Sequence, residues 1–330
     1  MKIAVTADLH AHNYTQYSGI AESGLNSRLD WILRTLDMIV EKCVQRGVDA
    51  IVIAGDLFHS RKSIDITVLE SVYKRIESID FPVYIIKGNH DIAESINKRT
   101  SVRIFSKVAK VVTTARIVNI AGTRVGIVPW TDSAKAVSKI VDEFNKQGVH
   151  YVIGHLGMRS GTVGSHDYVM EGSIEPSVFR KFKWTALGHY HKHQKLKHNI
   201  YYVGSPLQHT WGDAGDEKGF MIFDGDKPEF IPLPSTPRFI KVMSNEDAKG
   251  VRVIDYVKIT GKREVVESIE LPLSVRKIEV VEKDDEYTPR LDFDETSIKS
   301  IVTTYCRAFP QDVVDEDFLI KVGVDYLRSS

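Results

Sequence analysis

Cysteine is scarce in this sequence, and neither sign of charge prevails. Only Cys43 and Cys306 occur in 330 residues. They lack the paired spacing of a zinc-thiolate site or a disulfide framework, so two reduced thiols in a cytoplasmic chain are expected. The 44 basic and 44 acidic side chains cancel. Such a chain does not coat nucleic acid by bulk charge. A polyanionic substrate would need local basic patches and bound cations. No apolar run approaches the roughly 20 residues that cross a bilayer. The opening Met1-Lys2-Ile3-Ala4-Val5 enters a strand pattern at once and leaves no room for a signal peptide. Internal repeats and low-complexity tracts are absent too. The remaining composition, 42% hydrophobic and 27% charged, can bury a core. Its length suits one large domain and a smaller one.

Strand and helix patterns alternate from the start. Residues 2–7 and 50–54 are short apolar runs of the buried-strand type, and 82–87 is a third. Between them, 28–46 places Leu29, Ile32, Leu33, Leu36, Ile39, Val40 and Cys43 at helical spacing, and 64–79 does the same with Val68, Leu69, Val72 and Ile76. This rhythm predicts an α/β layered sheet. Further strands are expected at 115–119, 124–128, 149–153, 184–187, 201–203 and 219–223, with a helix over 135–147. Pro232, Pro234 and Pro237 cannot sustain a helix or a central strand. The domain boundary is therefore expected at 232–237, after a first domain of 1–231. A small α+β domain over 238–294 follows, with strands at 251–260 and 275–281 and an acidic turn-prone stretch at 283–295. Helical patterns close the chain over 295–330, one carrying Ile298, Ile301, Val302 and Tyr305, the other Val314, Phe318, Ile320, Val322 and Val324.

Placement is the informative feature. Asp8 and His10 follow the first strand as D-L-H. Asp56 follows the second within G-D-L-F-H, which ends at His59. Asn89, His90 and Asp91 follow the third as G-N-H-D. His155 and the pair His189 and His191 follow later strands as G-H and G-H-Y-H. Open α/β sheets build their ligand-binding crevices at these carboxyl ends. Glycine precedes four of the five groups, allowing a tight turn. Carboxylate, amide oxygen and imidazole together favour manganese, iron or zinc over a thiolate-bound metal. Seven ligands, Asp8, His10, Asp56, Asn89, His155, His189 and His191, exceed one tetrahedral centre. They suit two cations ~3.5–4 Å apart sharing one carboxylate, for which Asp56 is the candidate. His90, beside Asn89, is the expected acid for the leaving group, with Asp91 orienting it and His59 near the phosphate. His12, His150, His166, His193, His198 and His209 are expected to be surface or structural.

The order D-x-H, G-D, G-N-H-D, G-H, G-H-x-H over residues 1–225 resembles the calcineurin-like metallophosphoesterase superfamily. That resemblance implies a four-layer αββα sandwich with metals at the strand ends and a small α+β C-terminal cap. G-D-L-F-H at 55–59, V-P-W at 128–130, Y-V-G-S-P at 202–206 and E-K-G-F at 217–220 further resemble the SbcD/Mre-eleven family of DNA repair nuclease subunits, including its short phage-encoded forms. This implies that Asp8, His10, Asp56 and His191 hold one metal and Asp56, Asn89, His155 and His189 the other. His59 and His90 would be the catalytic histidines. It also implies manganese as the usual metal (with magnesium, iron or zinc as alternatives), DNA as substrate, an SMC-like ATPase of the SbcC/Rad-fifty type as partner, and a homodimer through helices near 64–79 and 92–107. The location would be the host cytoplasm if the chain is phage-encoded. Phe58-His59 stands where the Ser/Thr phosphatase branch has Asp-Arg. Arg61, Lys62, Lys98, Arg99, Arg103, Lys192 and Lys195 are basic candidates for the DNA rim. A small-molecule phosphodiesterase and a non-catalytic scaffold are the alternatives. The second is weakened because no expected ligand is missing.

Overall fold

A computed structural model describes residues 1–94, 99–163, 168–169, 174–272, 275–281, 302–303, 306–307 and 315–329. Three long helices match the apolar periodicities, and each begins where a side chain can satisfy free N–H groups. Helix α1 (Ser27–Arg46) is capped by Asn26, α2 (Ile66–Glu77) by Asp65, and α3 (Ala134–Lys146) by Ser133. Gly47 closes α1 in the left-handed conformation, φ 61°, which costs glycine little.

Two six-stranded sheets stack face to face. The first runs in the order 227–232, 219–224, 2–6, 50–54, 83–86, 110–112. The second runs 194–196, 200–202, 184–188, 151–155, 123–128, 116–120. Strand alternation sets the layers. Ile51, Ile53 and Ile85 face Leu33, Leu36, Val68 and Val72 of α1 and α2. On the opposite face, Val52, Ala54 and Ile86 meet Ile127, Ile153 and Ala186 of the second sheet. Val152, Leu187 and Tyr202 then pack on Val137, Val141 and Phe144 of α3. The result is the expected helix–sheet–sheet–helix sandwich. A strand covered on both faces must be apolar at every position, and Ala50–Ala54 is wholly buried.

A three-stranded sheet follows, in the order Phe239–Val242, Tyr256–Gly261, Arg276–Val281. Its middle strand begins later than 251, because the backbone N–H of Arg252 turns back to donate to the Asp255 carboxylate at 2.9 Å. The stretch 232–237 is not a slack linker. Pro232 ends an edge strand, where a missing N–H is tolerated. Leu233 is buried in the core beneath α1. The Arg252 guanidinium donates to the carbonyls of Pro234 and Thr236 at 2.7 and 2.6 Å. Consequently Met1–Val280 forms one compact unit that contains the small sheet, and Val281–Ser330 forms the other. In the second unit, Glu316–Ser329 is helical and Val324 is buried. The expectations for 283–295, Ile298, Ile301, Tyr305 and Val314 lie outside the described residues, as do those for Lys98 and His166.

Asp255 holds this junction. It is fully buried and accepts from both Arg238 and Arg252, with closest contacts of 2.6 and 2.7 Å. Burial raises its pKa, but the two arginines outweigh that and hold the carboxyl below its ordinary range. Charged hydrogen bonds of this kind contribute about 1.5–3 kcal/mol. Asp255→Asn should lose that much in urea unfolding at pH 7. A group with a depressed folded pKa stabilises above its unfolded value, near 3.9, and loses that contribution as pH falls. The gap between wild type and variant should therefore narrow below about pH 4, and a pH-independent gap would contradict the ion-pair account.

Candidate metal centre

The first sheet delivers Asp8, Asp56 and Asn89 at the ends of three parallel neighbouring strands. The second delivers His155, His189 and His191 from two parallel neighbours. Stacking the sheets brings both sets to one end. The seam is tight: His155 Nδ1–H donates to the carbonyl of Ala54 at 2.8 Å. A Cβ on Gly55 would lie 2.2 Å from the His155 ring. One on Gly88 would lie 2.1 Å from Asp56 Oδ1. Close approach, rather than turning, is what requires glycine at position 88.

Two groups of side chains gather here, each with ligand atoms within 4.8 Å of one another: Asp8, His10 and His191, and Asp8, Asp56 and His155. Asn89 Oδ1 lies 2.9 Å from His155 Nε2 and 3.1 Å from His189 Nδ1. Asp8 is common to both groups, and Asp56 Oδ2 of the second lies 3.5 Å from His155 Nε2 and only 3.7 Å from His10 Nε2 of the first. All seven expected ligands are thus brought together.

The donor set fits cations. His10 Nε2 and His191 Nε2 face each other at 3.1 Å, and burial holds His10 well below the ordinary imidazole range. Two nitrogens bound at about 2.1 Å to one ion, at right angles, lie about 3 Å apart. His155 gives its Nδ1 proton to a carbonyl, which leaves Nε2 as the ligand atom, the usual arrangement for a metal-binding histidine. Burial also brings His189 down to about 3, helped by His155. For His155 burial pulls the same way, yet the Asp56 carboxylate beside it lifts the value to about 9. Four of these residues hold left-handed backbone: Asp8 (φ 55°), His10 (47°), Asp56 (51°) and His189 (109°). Each such residue costs roughly 1–3 kcal/mol and persists only where its surroundings enforce it.

His59 and His90 lie beside the cluster, their rings near-parallel at 5.5 Å. His90 Nδ1 lies 2.7 Å from the His59 carbonyl, so it carries the proton, and its backbone N–H donates to Asp56 Oδ1 at 2.8 Å. Partial desolvation of this half-covered ring and the neighbouring His90 bring His59 down to about 4. Asp91 does not fill the orienting role expected of it. Its carboxylate instead accepts the N–H groups of Asp56 and Gly88 at 3.0 and 2.8 Å, binding two ligand loops together. Burial, with Asp56 nearby, raises it to about 7.

Sequence reasoning missed His209, which is buried against His10 at 5.3 Å. Asp213, 3.6 Å from His191 Nδ1, was missed as well. Their only signal was proximity to the Y-V-G-S-P and E-K-G-F motifs. His193 points elsewhere, stacked on Phe230 at 4.0 Å, as its exclusion from the ligands requires. Among the basic candidates, Arg61, Lys62, Arg99 and Arg103 are exposed, while Lys192 pairs with Asp216.

Fold and site together define an α/β-sandwich phosphoesterase with candidate metal ligands at its strand ends. The chain belongs to the calcineurin-like phosphoesterase family, whose model matches residues 1–193, and is a metal-dependent enzyme. Exonuclease subunit 1 of enterobacteria phage T4 is 24% identical over 318 residues, spanning 89% of this chain and 92% of that protein. Putative phosphoesterase 244L of invertebrate iridescent virus 6 is 22% identical over 236 residues, 68% of this chain and 82% of that one. A dimetal phosphatase structure from Danio rerio covers 67% of this chain and 91% of its own, with 10% identity and a TM-score of 0.42. No described helix is long and apolar enough to cross a membrane.

Gly88→Ala tests the seam. Forcing a methyl against Asp56 should cost about 1–3 kcal/mol, the usual penalty of overpacking. Manganese titration by calorimetry should also show weakened binding. Unchanged metal affinity would mean that the Gly88–Asp56 contact does not shape the site.

Proposed function

We propose that this chain is the nuclease subunit of a DNA end-processing complex, cleaving phosphodiesters with two manganese ions and working with an SMC-like ATPase. The reach of Asp56 Oδ2 to a histidine of each group, His10 and His155, supports the two-metal part. Asp8, His10, Asp56 and His191 would hold one ion, and Asp56, Asn89, His155 and His189 the other. When bound, the pair activates water and neutralises phosphate oxygens. His90, with Nδ1–H committed to the His59 carbonyl, leaves Nε2 facing the leaving oxygen, and in its doubly protonated form gives the Nε2 proton to that oxygen and returns to the Nδ1–H tautomer. His59 stands beside it to contact the phosphate. Asp91 supports both loops by fixing the backbone of Asp56 and Gly88. Similarity to the phage exonuclease subunit along nearly the whole of both chains supports DNA as substrate, and the exposed Arg61, Lys62, Arg99 and Arg103 supply local positive charge. Phe318 and Val322 are 59% and 49% exposed and lie four residues apart on the C-terminal helix. One helix face therefore offers apolar contact to the ATPase.

The deciding experiment is cleavage of end-labelled DNA with magnesium, manganese or zinc. Manganese should support it best. His90→Ala should cut the rate by about a hundredfold or more while two ions still bind. Asp56→Asn should lose both metal and activity. Hydrolysis of bis-nitrophenyl phosphate with DNA left intact would favour a small-molecule phosphodiesterase instead.

The same reading includes a homodimer. Ile66 on α2 and Ile104 in the short helix Ser101–Lys107 are 78% and 44% exposed, where the expected interface falls. Sedimentation should give a dimer at micromolar concentration and a monomer for Ile66→Glu. A monomeric wild type removes this element.

A further inference from the structure

His209 belongs to no ligand set and lies outside the residues matched by the family model. It is only 4% exposed, and three contacts define it. Its Nε2 lies 2.9 Å from the backbone carbonyl of Asp8. A carbonyl only accepts, so Nε2 carries the proton whatever the tautomer elsewhere. Its own N–H donates to Asp213 Oδ2 at 3.0 Å. Its carbonyl accepts from Arg28 Nη2 at 2.6 Å.

Each contact leads somewhere different. Asp8 is held in left-handed backbone, φ 55°, and its carboxylate accepts the His189 N–H at 3.0 Å. A rotation of the peptide after Asp8 would therefore disturb both clusters. Asp213 faces His191 and is anchored by Lys218 Nζ at 3.0 Å, which also donates to the His191 carbonyl at 2.8 Å. Arg28 is buried at the foot of α1. Its guanidinium lies 3.9 Å above Tyr14 and 5.6 and 5.8 Å from Phe239 and Tyr256 of the small C-terminal sheet. Gln208, next in sequence, accepts the Phe239 N–H at 2.6 Å.

We propose that His209 is a positioning residue that fixes Asp8 for metal binding and, through Arg28 and Gln208, ties the geometry of the metal site to the seating of the small C-terminal sheet. The proposal rests on the two-metal reading but not on DNA as substrate. The imidazole reaches the strained proposed ligand Asp8, while the backbone of the same residue reaches the carboxylate behind His191 and the only buried arginine among the described residues, so one short segment joins all three.

Manganese binding to the full chain, read by calorimetry and electron paramagnetic resonance, provides the test. His209→Ala should weaken binding by about tenfold or more, as loss of a ligand's supporting hydrogen bond does. His209→Gln keeps an N–H and should recover most of that loss. Arg28→Met keeps the buried stem but loses the donor. It should weaken manganese binding severalfold while the metal-free melting temperature changes far less than in Asp255→Asn. Should His209→Ala fail to fold, the Gln and Met variants still decide. Wild-type affinity in His209→Ala, or His209→Gln no better than His209→Ala, would overturn the positioning role. Wild-type affinity in Arg28→Met would overturn the link to the sheet. If wild type binds two manganese ions but leaves DNA intact, the nuclease reading fails and the affinity comparison stands unaffected.

Discussion

Everything chemical in this protein depends on how closely two sheets approach at their carboxyl ends. The hydrogen bond from His155 to the Ala54 carbonyl crosses that seam, and Gly188 presses so near the same carbonyl that a Cβ would lie 2.3 Å away. A normal sheet spacing of about 10 Å is filled elsewhere by Val52, Ile86, Ile127, Ile153 and Trp184. At the ends the side chains shrink to glycine and alanine. Loops from both sheets then meet, and carboxylates of one sheet reach imidazoles of the other.

Such convergence opposes stability. Asp8 and Asp56 are buried close to the imidazoles of His10, His155, His189 and His191, and Asp8 is pushed above its ordinary range by burial. His10 Nδ1 has no partner among the described residues. Four of the proposed ligands, Asp8, His10, Asp56 and His189, hold left-handed backbone. No folding logic selects these features together, since each alone costs free energy. The apolar layers on either side, where a buried leucine or isoleucine contributes about 1.5–3 kcal/mol, must offset that cost. A bound cation pair would relieve much of it by giving the facing lone pairs a common partner.

What the sequence disclosed follows from this division. The layers were legible because a strand covered on both faces leaves a continuous apolar run, as at residues 50–54, and a helix covered on one face leaves a 3.6-residue period, as in α1. The gathered candidate ligands were legible because each sits at or just after the end of such a run. His209 was not, since it lies in a segment without periodicity and its partners Arg28 and Asp8 are 181 and 201 residues away. Asp91 misled for a related reason. Adjacency to His90 suggested a side-chain partner, but the carboxylate instead ties backbone from two loops, which no spacing rule describes. The packing of the proline stretch was not legible either: Pro232 ends an edge strand, and Leu233 and Thr236 are buried.

One ambiguity of the cluster resolves on chemical grounds. His10, His59 and His90 also bring ligand atoms within 4.8 Å of one another, so imidazole geometry alone would allow an ion there. That group has no carboxylate and no amide oxygen, and His59 is exposed. Hard cations prefer oxygen donors, and the two groups containing Asp8 supply them together with deeper burial. The His90 backbone is pinned to Asp56 Oδ1 and its ring to the His59 carbonyl, so the ring is oriented without a metal. On the proposed reading, carboxylates draw the ions to the inner groups. The outer histidines are thereby left as an oriented pair at the mouth of the site, where a proton must be delivered.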